Sequence, residues 1–191
     1  LCERPTQLGE IVRESPVLLG CTDAARHGMG GVYFDAHGRC YVWRAPFADD
    51  VQRALITFGN PHGSVTNSDL EQAGVLGQLF LQATTHDLRS GTVEVLTDNT
   101  PTVARYTKGA VSHERAASYL CRLASAHQRR HRYLAAVSYI PGEANVMADD
   151  ASRLQALTDP AFLAHFEQHY PQPQPWTMLR ATSEMLSTLH S

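Results

Sequence analysis

Val17-Leu-Leu-Gly-Cys-Thr-Asp23, followed by Gly30-Gly-Val-Tyr-Phe-Asp35 and Cys40-Tyr-Val-Trp-Arg44, is the stretch whose reading decides the fold. The first segment is a near-continuous apolar run ending on a carboxylate, the pattern of a strand covered on both faces. The second and third are apolar and aromatic runs joined by Ala36-His-Gly-Arg39, a link short enough for a hairpin. Three consecutive antiparallel strands follow, with the first in the middle of the sheet. Gly28-Met-Gly-Gly31 reads as the start of the second strand with a bulge rather than a phosphate cradle, since no helix follows it directly.

Residues 45–66 are polar and broken by Pro46, Gly59, Pro61 and Gly63, so they read as loop, with a short piece of either type over 51–58. Thr66-Asn-Ser-Asp-Leu-Glu71 then opens a helix. Leu70, Ala73, Leu76, Leu79 and Phe80 recur at helical spacing, and Asn67 or Ser68 supplies the N-cap. Thr92-Val-Glu-Val-Leu-Thr-Asp98 alternates as a strand and again ends on a carboxylate. Asn99-Thr-Pro101 begins a short helix that Gly109 ends, with proline where its missing N–H costs nothing. A longer helix over 112–130, a strand over 133–140 and a helix over 144–154 complete the pattern. An antiparallel meander followed by helical crossovers predicts an α/β fold: a mixed five-stranded sheet, three strands antiparallel and then two parallel, with helices on both faces.

Residues 1–16 read as a lead-in from a preceding domain, 17–155 as the folded domain, and 156–191 as a C-terminal extension or linker. In the last of these, Phe162, Phe166 and Tyr170 suggest a short helix before the proline-rich Pro171-Gln-Pro-Gln-Pro-Trp176. The first residue is not Met, which fits a piece of a longer polypeptide. With 191 residues, 43% of them hydrophobic, the chain can bury a core. No apolar run approaches the roughly 18 to 20 residues of a membrane span, and the N-terminus lacks the order of a signal peptide, so an intracellular protein of cytoplasm or nucleus is expected. The four cysteines stand apart with no C-x-x-C pair, which speaks against zinc or dithiol chemistry. A net charge of −3 argues against gripping nucleic acid by bulk charge, leaving that work to local patches.

Four acids fall at parallel places: Asp23 and Asp98 at the ends of buried strands, Glu71 and Asp149 in the first turns of helices. An unpaired charge at a buried strand end costs several kcal/mol. A hard divalent cation suits several carboxylates at once. Two such ions roughly 3.5 to 4 Å apart can hold the attacking and leaving oxygens of a phosphodiester. Local readings compete with this one. Ser68-Asp-Leu-Glu71 is also a capping box, and Asp98-Asn99-Thr-Pro is also a helix N-terminus. Asp150 reads as a solvated charge beside Asp149.

Thr22-Asp23 with Gly28-Met-Gly-Gly31, Thr66-Asn-x-x-x-Glu71, Leu96-Thr-Asp98-Asn99 and Pro141-Gly-x-x-Asn145-x-x-Ala148-Asp149-x-x-Ser152-Arg153 together resemble the ribonuclease H domain of retroelement reverse transcriptases. The closing block is similar to the form found in long-terminal-repeat retrotransposons. The resemblance spans about residues 17–155, with its blocks in the family's order. It implies Asp23, Glu71, Asp98 and Asp149 as a set holding two Mg2+ ions, with Mn2+ as substitute, and cleavage of the RNA strand of an RNA–DNA hybrid during reverse transcription. Asp23 would serve both ions, Asp98 and Glu71 the ion near the leaving oxygen, and Asp149 the ion that activates water. The adjacent polymerase domain of the polyprotein is the implied protein partner. Asn67 and Asn99 would lie along the nucleic acid, where contacts to the 2′-hydroxyl distinguish RNA from DNA. Some relatives carry a flexible histidine before the last helix; Ile140-Pro-Gly-Glu-Ala-Asn145 has none, and His113 stands at a helix start instead.

The clearest basic patch is Arg122 with Arg129-Arg-His-Arg132, read as phosphate contacts or as a solvated helix end, with Tyr106, Lys108 and Tyr119 available to add stacking or charge. A competing function is a catalytically inactive, domesticated module that keeps the fold and binds nucleic acid as a scaffold. Retention of all four acids speaks against it. An integrase-like nuclease is disfavoured by the Thr-Asn-x-x-x-Glu block, which belongs to the ribonuclease H branch.

Overall fold

The structure, a computed structural model, describes residues 12–109 and 115–190. The meander forms as expected: β1 (Pro16–Ala25), β2 (Gly28–Asp35) and β3 (Cys40–Pro46) pair antiparallel in sequence. Then come α1 (Asp49–Ala54), α2 (Asn67–Thr85), β4 (Thr92–Thr97), α3 (Thr100–Lys108), α4 (Arg115–His131), β5 (Leu134–Tyr139) and α5 (Val146–Arg153). β4 pairs parallel with β1, and β5 parallel with β4. Gly109 ends α3 in the left-handed region at φ 61°, which a residue without Cβ adopts at no steric cost.

Period-two alternation explains why the central strands are apolar throughout. Tyr33, Tyr41 and Trp43 point to one face, where Val75, Leu76 and Leu79 of α2 cover them. Cys21, Val32, Cys40 and Val42 point to the other, where Ala148 and Ala151 of α5 pack. The glycine-rich start of β2 carries no bulge: its register with β1 runs unbroken from Ala25↔Gly28 to Leu18↔Asp35. Those glycines serve close approach of a helix, described below. No described helix is long and apolar enough to cross a membrane.

A sixth strand adds to the five expected, giving the order β5-β4-β1-β2-β3-β6. Residues 156–191, read above as an extension or linker, contain α6 (Asp159–His169), β6 (Thr177–Arg180) and α7 (Ser183–His190). β6 pairs parallel with β3 from Tyr41↔Thr177 to Arg44↔Arg180. Phe162, Phe166 and Trp176 are buried against Val32 and Val42, while Met185 and Leu189 of α7 join the α2 face. Arg44 places its guanidinium 4.3 Å from the Phe162 ring centroid and donates to the carbonyls of Leu154 and Leu157 and to Asp159. The segment therefore closes the core on both faces. Its proline-rich composition hides this, because Thr177-Met-Leu-Arg180 is too short and too polar to signal a strand by itself. Trp176→Ala is expected to cost about 3–5 kcal/mol, read as a fall in the urea midpoint without change in slope.

Candidate active site

Strand register brings two of the acids together. β1 and β4 stay paired up to Cys21↔Leu96, and Asp23 and Asp98 each stand two residues beyond that last pair. Two residues along a strand is one full side-chain period, so Asp23 keeps the facing of Cys21. Glu71 arrives from α2 just past its first turn, whose acid is Asp69, and its carboxylate accepts a hydrogen bond from the Ala24 backbone. Carboxylate oxygens of Asp23, Glu71 and Asp98 all lie within 4.8 Å of one another.

Capping falls to other residues, which leaves these acids uncommitted. Thr66, not Asn67 or Ser68, is the N-cap of α2, and its capping-box partner is Asp69: the Thr66 N–H donates to Asp69 Oδ2 at 2.8 Å and the Asp69 N–H to Thr66 Oγ1 at 3.2 Å. Glu71 is thus not the reciprocal cap. Asp69 is also paired with Arg105 at 2.9 Å. At α3 the cap is Asn99, whose Oδ1 accepts from the Thr102 N–H at 3.0 Å, so Asp98 is not held by a helix end.

α5 closes the site from the opposite face. It can do so because Gly30, paired with Asp23, has no Cβ: one built there would stand 2.4 Å from the Ala151 carbonyl carbon. Buried Asn145 anchors the start of the helix by donating to the Thr22 carbonyl at 3.0 Å. Ser152 then donates to Asp23 Oδ2 at 2.5 Å. Asp149 lies one turn before Ser152 on the same face, yet stands outside the three-carboxylate group and pairs with Arg153 at 2.6 Å. Asp150 is not a solvated charge: its Oδ2 meets His165 Nε2 at 2.7 Å and the Tyr170 hydroxyl at 2.8 Å, tying α5 to α6. The loop that lacks a histidine folds as a 3-10 turn over Gly142–Ala144, and a Cβ at Gly142 would come 3.1 Å from Asp98 Oδ2. Residue 113 lies outside the described residues.

Burial dominates the electrostatics. Desolvation, reinforced by Asp23 and Asp98 and opposed by the Ala24 hydrogen bond, pushes the Glu71 carboxyl up to about 9. Desolvation also raises Asp23, the Ser152 hydroxyl opposes it, and Asp149 and Asp98 add repulsion. Glu71 Oε2 is buried and has no hydrogen-bond partner. An orphaned carboxylate oxygen beside two further carboxylates is a poor structural ending. The same all-oxygen donor set fits a hard divalent cation, which would offset the repulsion and complete Glu71.

The nucleic-acid residues divide into two groups. Asn67, exposed, stands one helical turn before Glu71 and so shares its face of α2, and Asn99 adjoins Asp98. The arginines are farther away. α4 runs alongside α2 in the same direction, since Gln72 reaches the Ala117 carbonyl at 3.4 Å and Phe80 meets His127 with ring centroids 4.5 Å apart. Arg122 is therefore the patch residue nearest the acids, exposed on the wall of a hollow of about 710 Å³ lined by Phe47, Leu70, Tyr119 and Leu189. Arg129, Arg130 and Arg132 sit at the other end of the sheet, where the Arg132 carbonyl accepts from the Ser90 N–H just before β4 begins. The length of β4, about 20 Å, separates that end from Asp98. The structure does not bring these three arginines to the acids. Tyr106 and Tyr119 pack in the core around α2 rather than standing free to stack.

The sequence matches no protein-family profile and no curated protein. Solved structures do match, ribonuclease H1 proteins among them. One, LC11-RNase H1 isolated from compost by a metagenomic approach, is 21% identical at TM-score 0.55, covering 75% of this chain and 100% of that one. The same enzyme in complex with an RNA/DNA hybrid is 20% identical at TM-score 0.54, covering 70% and 92%. RNase H1 from the halophilic archaeon Halobacterium salinarum NRC-1 is 13% identical at TM-score 0.54, covering 70% and 92%. The chain has the ribonuclease H-like fold.

Gly30, expected at a bulge, instead admits α5, and Asn145, Ser152 and Arg153 carry roles that their motif positions alone do not assign. The last three stand inside the closing block, and the three-residue step from Asp149 to Ser152 was the available signal for a shared helix face.

Proposed function

We propose that the chain is a metal-dependent endoribonuclease of the ribonuclease H type, cleaving the RNA strand of an RNA–DNA hybrid by phosphodiester hydrolysis. The observation that carries this reading is the convergence of Asp23, Glu71 and Asp98 with a buried, unpartnered Glu71 oxygen. Asp23, Glu71, Asp98 and Asp149 would hold Mg2+, for which Mn2+ can substitute. When bound, a pair of such ions activates water and stabilises the charge that develops on the attacking and leaving oxygens. The residues of the chain fix the geometry. Ser152 holds one oxygen of Asp23, the Ala24 backbone holds one oxygen of Glu71, and Asn145 keeps α5 against β1. Asp149, half-exposed and paired with Arg153, is the acid best able to move as substrate arrives.

Asn67 and Asn99 would meet the hybrid beside the acids, Asn99 through the amide nitrogen its cap leaves over. Arg122, Arg129, Arg130 and Arg132 would act on phosphates away from the scissile bond, strengthening binding in a salt-dependent way. The closing Ala148-Asp149-x-x-Ser152-Arg153 block supports a place in a retroelement reverse transcriptase polyprotein, beside its polymerase domain and inside the cell.

The test is a substrate panel. The chain is incubated with strand-labelled hybrid, RNA duplex and DNA duplex, with magnesium or with EDTA. Cleavage of the RNA strand of the hybrid alone, and only with magnesium, is expected. Equal cleavage of RNA duplex, or cleavage in EDTA, would overturn the reading.

A further inference from the structure

The link between α1 and α2 carries the most exposed apolar side chain of the described residues. Phe58 is 106% exposed, and Ile56, two residues before it, is 46% exposed. A solvated phenyl ring stabilises nothing in the fold, yet the chain holds it firmly. Thr57 and Asn60 exchange backbone hydrogen bonds at 3.1 and 3.0 Å, closing a two-residue turn with Phe58-Gly59 at its tip. The Asn60 side-chain amide donates to the Arg53 and Leu55 carbonyls at 2.8 and 3.1 Å, and the Ile56 N–H donates to the Val65 carbonyl at 2.8 Å. The tip is pre-ordered, so a ligand meeting it need not first order it.

Chain connectivity bounds the distance from the tip to the start of α2. Phe58 is two residues from Ile56, which is bonded to Val65, itself two residues before Asn67. These steps allow at most about 20 Å between Phe58 and Asn67, roughly six base pairs of duplex. The surroundings suit a polyanion. Between Asp50 and Asp69 the sequence has no carboxylate, while Arg53 and His62 are exposed beside the tip. An aromatic ring flanked by a guanidinium, an imidazole and an amide, with no acid in the same stretch of sequence, is the composition that stacks on bases or sugars next to a phosphate backbone.

We infer that Phe58 is a nucleic-acid contact: an aromatic tip that packs against the hybrid on the Asn67 side of the active site and fixes where the duplex lies. This rests on the reading of the chain as a hybrid nuclease. The two can fail separately.

The test uses Phe58→Ala and Phe58→Trp. Both tryptophans of the native chain, Trp43 and Trp176, are buried, so the indole of Phe58→Trp reports the tip by its fluorescence. Binding of hybrid is measured by anisotropy in EDTA, and cleavage in magnesium. Phe58→Ala is expected to weaken hybrid binding about 5- to 50-fold and to raise KM while kcat stays within about twofold. Phe58→Trp is expected to restore affinity, and saturating hybrid should quench its fluorescence and protect it from acrylamide. Quenching by hybrid in a chain that cleaves nothing would uphold the contact and sink the nuclease reading. Wild-type affinity in Phe58→Ala, or fluorescence unmoved by hybrid while hybrid is cleaved, would overturn the contact and leave the nuclease. Fluorescence that responds only to the polymerase domain of a reverse transcriptase would assign the tip to a protein and likewise overturn it.

Discussion

Asp98→Asn should lower the single-turnover rate of hybrid cleavage by at least about 10³-fold, well beyond the 10- to 100-fold that loss of an outer partner costs a metal site. The substitution is nearly isosteric, so the approach of Gly142 to position 98 is undisturbed. What it removes is one of the three carboxyl groups gathered within 4.8 Å. A neutral amide is a weaker donor to a hard cation, and loss of the charge also relieves the repulsion felt by Asp23 and Glu71. The variant should therefore fold as well as the parent by circular dichroism and thermal melting while losing activity. Cleavage within tenfold of the parent would remove Asp98 from the site.

Glu71→Gln should do something less common and stabilise the metal-free protein while abolishing its activity. The folded-state pKa of Glu71 lies at about 9 against an ordinary 4.5. Between those values the unfolded chain has released a proton that the folded chain retains. Stability is then greatest below pH 4.5 and falls as pH rises towards 9. The raised Asp23 carboxyl adds to the same trend. Glutamine keeps the shape and has no proton to lose. At pH 8 the variant should gain roughly 2–4 kcal/mol, less than the full shift converts to because a buried site hydrates and relaxes. For a chain of this size that is a rise in Tm of about 5–12 °C, shrinking to nothing near pH 4.5. Magnesium should stabilise the parent more at pH 8 than at pH 5, and the variant little at either. A variant that melts below the parent at pH 8 would show that Glu71 is a structural group.

Both predictions concern residues that the sequence already singled out, and the reason is local. Acids at the ends of two apolar runs are visible in one dimension, and so are the strands that carry them. The pairing of those runs, Cys21↔Leu96, is a matter of register and appears only in three dimensions. Glu71 was obscured by a spacing ambiguity: Ser68-Asp-Leu-Glu71 and Thr66-Asn-Ser-Asp69 both fit a capping box, and only the second forms. Asp150 looked solvated because its partners, His165 and Tyr170, lie in a segment whose prolines suggested a linker. That segment hid its strand for a related reason, since β6 is four residues long and takes its register from β3. The arginines show where sequence clustering stops being informative. Clustered in sequence, they are carried by α4 to the far end of the sheet from the acids. Ser152 needed a long reach, a hydrogen bond across 129 residues that depends on Gly30 admitting α5 to the sheet.

Whether the three acids from β1, α2 and the end of β4 are gathered to hold a divalent cation can be seen by diffraction. Crystals of the chain with an RNA–DNA hybrid would be soaked in Mn2+ and an anomalous difference map calculated. A peak bounded by carboxylate oxygens of Asp23, Glu71 and Asp98 is expected, within about 2.0–2.3 Å of each ligand atom. A map with no peak among those carboxylates at saturating Mn2+, or with its peak elsewhere on the protein, would contradict it.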